Sequence, residues 1–122
     1  MEKHIDVMKQ SGELTETILE GLQHIQKLLG EGKHGQTIYM FKDVLLAYSS
    51  IEKSLEPIKG ELANEELTSI ARNLKHILEL VVDYYEAKQY GKVQEVMQFT
   101  LIPQVKKWKD ELQKAFQSYI VS

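Results

Sequence analysis

The densest group of chemistry-capable residues is "GEGKHGQ", Gly30 to Gln36, where Gly30, Gly32 and Gly35 have the G-x-G-x-x-G spacing of a dinucleotide loop around Lys33 and His34. Such a loop works because a strand delivers the first glycine to a tight turn and the next helix offers its N-terminus to a pyrophosphate. Here the preceding "HIQKLL" ends a helical pattern. The stretch therefore predicts a turn between helices, with Gly30 or Gly32 as C-cap and Gly35 easing entry into the second helix. Generic anion binding by that helix start beside Lys33 and His34 is the residual chemistry.

The histidines are His4, His24, His34 and His76. A di-iron carboxylate bundle needs an E-x-x-H pair on each of two helices, and the only such pair, Glu31 and His34, lies in the glycine-rich turn. That spacing argues against the di-iron class. A three-histidine site of the kind found in bacterial damage-inducible bundles would need His24, His76 and either His4 or His34 to converge across helices. His24 and His76 each precede an inward position, Ile25 and Ile77, which also suits a polar residue bordering an apolar stripe. "YSS", Tyr48 to Ser50, has no nucleophile-elbow turn and no histidine nearby to act as base. Lys106, Lys107, Lys109 and Lys114 surround Trp108, but Asp110 and Glu111 dilute them, as on a solvated helix face. The tyrosines are more numerous than an apolar core requires, and tyrosine is favoured where one end of the ring is buried and the other wet, at core borders and at interfaces.

The elements that position these residues follow from apolar spacing. Val7, Leu14, Ile18, Leu22, Ile25 and Leu29 form one helical stripe, and Ile38, Phe41, Leu45, Tyr48, Ile51 and Leu55 form a second that ends at Pro57 and Gly60. Asn64, followed by Glu65 and Glu66, reads as the N-cap of a third helix, whose Leu67, Ile70, Leu74, Ile77, Val81 and Tyr84 alternate three and four apart. A fourth runs from Val93 to Tyr119 with Pro103 inside it, which predicts a kink or split near Leu101 to Gln104. No window alternates with period two. The expectation is an all-α, single-domain four-helix bundle of up-down-up-down topology spanning residues 1–122, built of hairpins 1–59 and 60–122. An offset of 56 residues aligns the hairpins, pairing Ile18 with Leu74, Leu22 with Leu78, Gly35 with Gly91 and Leu45 with Leu101.

Composition narrows function. The 122 residues carry a net charge of −3 and no cysteine, which removes thiolate chemistry and suits a reducing cytoplasm. Arg72 is the only arginine, so a dedicated nucleic-acid binder is not expected. The first residues mix both charges, and "ILELVV" is too short to cross a membrane, so neither secretion nor membrane insertion is expected.

The runs "FKDVLLAYSSIEKSLEPI" and "VMQFTLIPQVKKWKDELQKAFQSYIVS" resemble small, uncharacterised all-helical proteins of low-GC Gram-positive bacteria. The resemblance spans nearly the whole chain, carries no catalytic motif and implies a cytoplasmic helical bundle. The hairpin plan is also similar to that of helical flagellar export chaperones, at the level of architecture alone. The leading expectation is a non-catalytic module that binds a partner protein or itself, with Tyr85, Tyr90, Phe99 and Trp108 near the binding face and no cofactor. The alternative is a metal-dependent enzyme on a bundle scaffold, centred on His24 and His76 with a carboxylate such as Glu20 or Glu79.

Overall fold

The computed structural model describes residues 2–60, 62 and 64–121, with the side chains of residues 2, 3, 120 and 121 outside the description. The chain is all helical: α1 (Glu2–Gly30), α2 (His34–Leu55), a 3-10 turn (Glu56–Ile58), α3 (Glu65–Glu86), α4 (Tyr90–Val96), a π turn (Met97–Leu101) and α5 (Ile102–Val121). The last three are continuous and form the fourth rod of the bundle. Met8, Leu22, Ile25, Ile51, Leu74, Val81, Met97, Leu101 and Leu112 are almost wholly buried along its axis. Their three-to-four spacing is what makes each segment helical in this context, since a short helix gains its stability from burying one face.

The helix ends show local chemistry at work. Asn64 Oδ1 accepts from the backbone N–H of Glu66 (2.9 Å) and Leu67 (3.2 Å), satisfying two orphan donors at the start of α3. Proline at the head of the 3-10 turn closes α2 at Leu55. The G-x-G-x-x-G stretch is the α1–α2 turn: Gly32 has φ +78°, Gly32 N–H donates to Leu29 O (3.1 Å) and Lys33 N–H to Leu28 O (2.9 Å). This is a Schellman ending, and it consumes the backbone donors that a phosphate would need. Gly35 is different from expectation: it lies within α2, has no positive φ, and a Cβ there would meet nothing.

The α3–α4 turn repeats this geometry 56 residues later. Lys88, at the place of Gly32, has φ +58°, its N–H donates to Tyr85 O (3.0 Å), and Gln89 N–H donates to Tyr84 O (2.9 Å). Lys33 and Gln89 share a φ of −92° before their helices start. The first residues of α2 and α4, His34 and Tyr90, are therefore equivalent, and their rings stack at 4.3 Å and 13° where the two hairpins meet. A left-handed conformation costs an L side chain roughly 1–2 kcal/mol, part of which glycine returns as unfolded-chain entropy. Lys88→Gly is thus expected to stabilise the protein by about 0.5–1 kcal/mol in denaturant melts; a loss of stability would show that the lysine side chain itself holds the turn.

Burial follows the same repeat and then slips. Ile18, Leu22, Ile25 and Leu29 are buried like Leu74, Leu78, Val81 and Tyr85, and Thr37 and Phe41 like Val93 and Met97, all 56 apart. Beyond the π turn the buried pairs are Val44 with Leu101, Tyr48 with Val105 and Ile51 with Trp108, which are 57 apart. The Leu45–Leu101 match in the sequence is accordingly a coincidence of residue type; Leu45 is only half-buried. One extra residue is absorbed in the π turn, where Ile102 N–H reaches back to Met97 O. The break expected at Leu101 to Gln104 so lies about one turn earlier. Pro103 is the second residue of α5, directly after the π turn, where the regular helical bonding ladder is already interrupted.

Candidate functional site

The four seams between neighbouring helices are unequal. α1 packs closely against α2 and against α5, and α3 against α5, whereas the backbones of α2 and α3 come close at few points. Between those two, toward the end of the bundle opposite the tight turns, lies a cleft of about 340 Å³, a size ordinary for ligand sites. Its floor is Tyr48, Ile51, Trp108 and Leu112, all buried. Leu55, Leu62, Leu67 and Ala71 form the walls. Along α3 it extends from Leu67 to Lys75, about 12 Å or two helical turns at 1.5 Å per residue.

The floor is held by polar as well as apolar contacts. The Tyr48 hydroxyl crosses from α2 to donate to Ala71 O on α3 (3.2 Å), and the ring packs against Trp108 at 5.3 Å and 53°. Burial, and secondly the carboxylate of Glu52, push the Tyr48 hydroxyl well above its ordinary value of 10.0. Tyr85 is also raised, chiefly by burial, against the opposing effect of its hydrogen bond with Thr37. An unfolded chain ionises its tyrosines near pH 10 while these two remain protonated in the fold, so unfolding there releases protons. Their contribution is present in full below about pH 10 and is lost as pH climbs from there toward the folded values. Tm should therefore fall above pH 10, less steeply in Tyr48→Phe, and the absorbance of tyrosinate should show a late-titrating fraction. Titration of all the tyrosines in one step in the folded protein would contradict this.

The rim is charged in two rows. Glu52 and Glu56 stand on the α2 side, while Arg72 and Lys75 stand on α3 and Lys59 follows the 3-10 turn. None of these five makes an ion pair among the described residues. The equivalent seam between α1 and α5 is closed. There Lys109 pairs with Glu16 and Leu19 is buried. Under the 56- and 57-residue offsets these positions become Glu52, Arg72 and Lys75. The charges across the seam are exchanged and the sealing leucine is a lysine. Burying an ammonium without a partner costs several kcal/mol, so Lys75 stays outside and the seam stands open. A wider depression on the outer face of α5, around Asp110, Lys114 and Gln117, is lined by exposed side chains only.

The residues singled out from sequence fall into three places. Trp108 forms the cleft floor. Tyr85 and Tyr90 lie at the turn end: Tyr85 is buried, donates to Thr37 Oγ1 (3.0 Å) and packs on Phe41, while Tyr90 is half-buried under His34. Phe99 is 70% exposed on the π turn, apart from the cleft. His24 and His76 are exposed on α1 and α3, as are Glu20 and Glu79, and among the described residues no three His, Asp or Glu side chains converge as metal ligands would. His34 and Lys33, the side chains of the fingerprint spacing, are engaged with Tyr90 and Glu31 (3.3 Å) respectively. Sequence reasoning missed Arg72, Lys75, Glu52 and Glu56 as a set; the only signal was that Arg72 is the sole arginine.

Fold and cleft together define a class: a single helical bundle with one open seam whose floor is apolar and whose rim is charged. Residues 6–111 match the family model described as Domain of unknown function (DUF8042), and the chain belongs to that family. No curated protein and no solved structure matches the chain. Among the described residues no helix is long and apolar enough to cross a membrane.

Proposed function

We propose that the protein is a non-catalytic interaction module that receives an apolar helix face from a partner protein in the α2–α3 cleft. The observation that carries this reading is the open seam itself: Trp108, Tyr48, Ile51 and Leu112 floor a groove about two helical turns long, the dimension on which helix-in-groove recognition through i, i+3 or i+4, and i+7 anchors operates. Aromatic anchors in a buried floor are the residues on which binding energy concentrates. The scattered histidines support no competing metal chemistry. The cysteine-free composition and the likeness of two helix-length runs to proteins of low-GC Gram-positive bacteria support a bacterial cytoplasm as its setting.

The test is a photo-crosslinking amino acid placed at Thr68, an exposed position on the cleft rim, in living cells. One dominant adduct is expected, mapping to an amphipathic helical segment of the captured protein. Ala71→Trp, which fills the groove from its wall, should remove the adduct and leave Tm unchanged. An adduct that survives this substitution, or that arises equally from Gln113 on the outer face of α5, would contradict the reading. An adduct of twice the chain mass would make the partner a second copy.

A further inference from the structure

The geometry points to the chemistry of the occupant: an amphipathic helix with one basic and one acidic edge, the basic edge along α2 and the acidic edge along α3. This rests on the reading that the cleft receives a helix. Its support is the closed seam on the other side of the bundle, which shows what the open one lacks. Between α1 and α5, the Lys109–Glu16 pair crosses the seam, and Leu19, about one turn along α1 from Glu16, is buried. Between α2 and α3, Lys75 stands at the leucine's place, so the apolar cover must come from outside. Glu52 and Arg72 stand at the places of the ion pair, and neither makes an ion pair among the described residues.

Wedged between those two rows, an incoming helix would separate Glu52 and Glu56 from Arg72 and Lys75 and meet each row with its own edge. Opposite charges on the two edges satisfy both rows; like charges on both edges satisfy one and repel the other. Turning a helix end for end in a groove exchanges its edges. The two rows therefore also fix the direction in which the occupant lies.

Three stapled, fluorescently labelled helical peptides test this, sharing one leucine face and carrying lysine on one edge and glutamate on the other, lysine on both, or glutamate on both. Titrated with the full chain, the mixed peptide should bind about tenfold tighter than either uniform one, a preference that shrinks with added salt. Glu52→Lys with Glu56→Lys should move the preference to the all-glutamate peptide, and Arg72→Glu with Lys75→Glu to the all-lysine peptide. Thermal melts identify whichever variant pair remains folded, and either suffices. Equal affinity of the three peptides for the unaltered chain, or a ranking unchanged in the variants, would overturn the charge assignment and leave the cleft as a helix site. Binding by none of the three would overturn the helix reading and this inference with it.

Discussion

Deletion of Phe99 combined with Pro103→Ala is expected to leave the bundle folded, whereas deletion of Lys106 abolishes folding. Both remove one exposed residue from the same rod. The difference lies in the π turn at Met97–Leu101, which holds one residue more than an α-helical turn. Removing Phe99 takes out that residue and keeps Leu101, Val105 and Trp108 on the core side, and the proline is replaced because an ordinary helix would bring its ring against the carbonyl one turn back. Removing Lys106 instead turns Trp108, Leu112 and Phe116, all buried, by about 100° out of the core. Each large core side chain lost costs about 2–5 kcal/mol, and the three together are as large as the whole stability of a domain, roughly 5–15 kcal/mol. Circular dichroism melts of the two deletions measure the contrast. Equal damage from both would mean that the π turn is not an insertion in an otherwise equivalent hairpin.

Trp108→Ala should cost about 3–5 kcal/mol, the range for emptying a buried aromatic site. The side chain is 3% exposed, meets the Tyr48 ring of α2 across the core and separates the cleft from the core beneath it. Its removal extends the groove into the core, so the floor cannot collapse without moving α3 toward α5. Trp108→Phe should cost much less, because most of the ring volume stays. Chemical denaturation of both variants gives the comparison. A near-neutral Trp108→Ala would mean that the floor is already loosely packed and that the cleft has no fixed shape to present.

Helix identity was legible because the apolar spacing of each segment is regular and its stops are chemical: Asn64 as a cap, Pro57 after α2, glycine in the first turn. The π turn was not. Its only traces are Pro103 and the adjacent buried pair Leu101 and Ile102, and an apolar pair reads equally well as the edge of a wide stripe. The equivalence of the two hairpin turns was hidden by Lys88, which occupies a left-handed position usually given to glycine. The cleft was invisible for a deeper reason. Lys75 and Arg72 look like ordinary surface on α3, and only when the seams are superposed does Lys75 stand where Leu19 seals the other side. Tyrosine count drew the expectation toward Tyr85 and Tyr90, whose rings are engaged in joining the two hairpins. Trp108 is buried like its neighbours in α5; its second role, as the floor of an open seam, depends on how far α3 stands from α2, which spacing along a chain does not encode.

Trp108 is the only tryptophan, and it lies under the cleft, so its intrinsic fluorescence reports directly on whether that seam is a binding seat. Titration with an unlabelled, tryptophan-free stapled helix bearing leucines on one face and mixed charges on its edges is expected to give a saturable change in Trp108 emission and reduced quenching by acrylamide, both lost in Ala71→Phe, which fills the groove without adding a second indole. Emission and quenching that stay constant through saturating peptide, or that change identically when the cleft is filled, would contradict the assignment of the α2–α3 cleft as the site where this protein binds its partner.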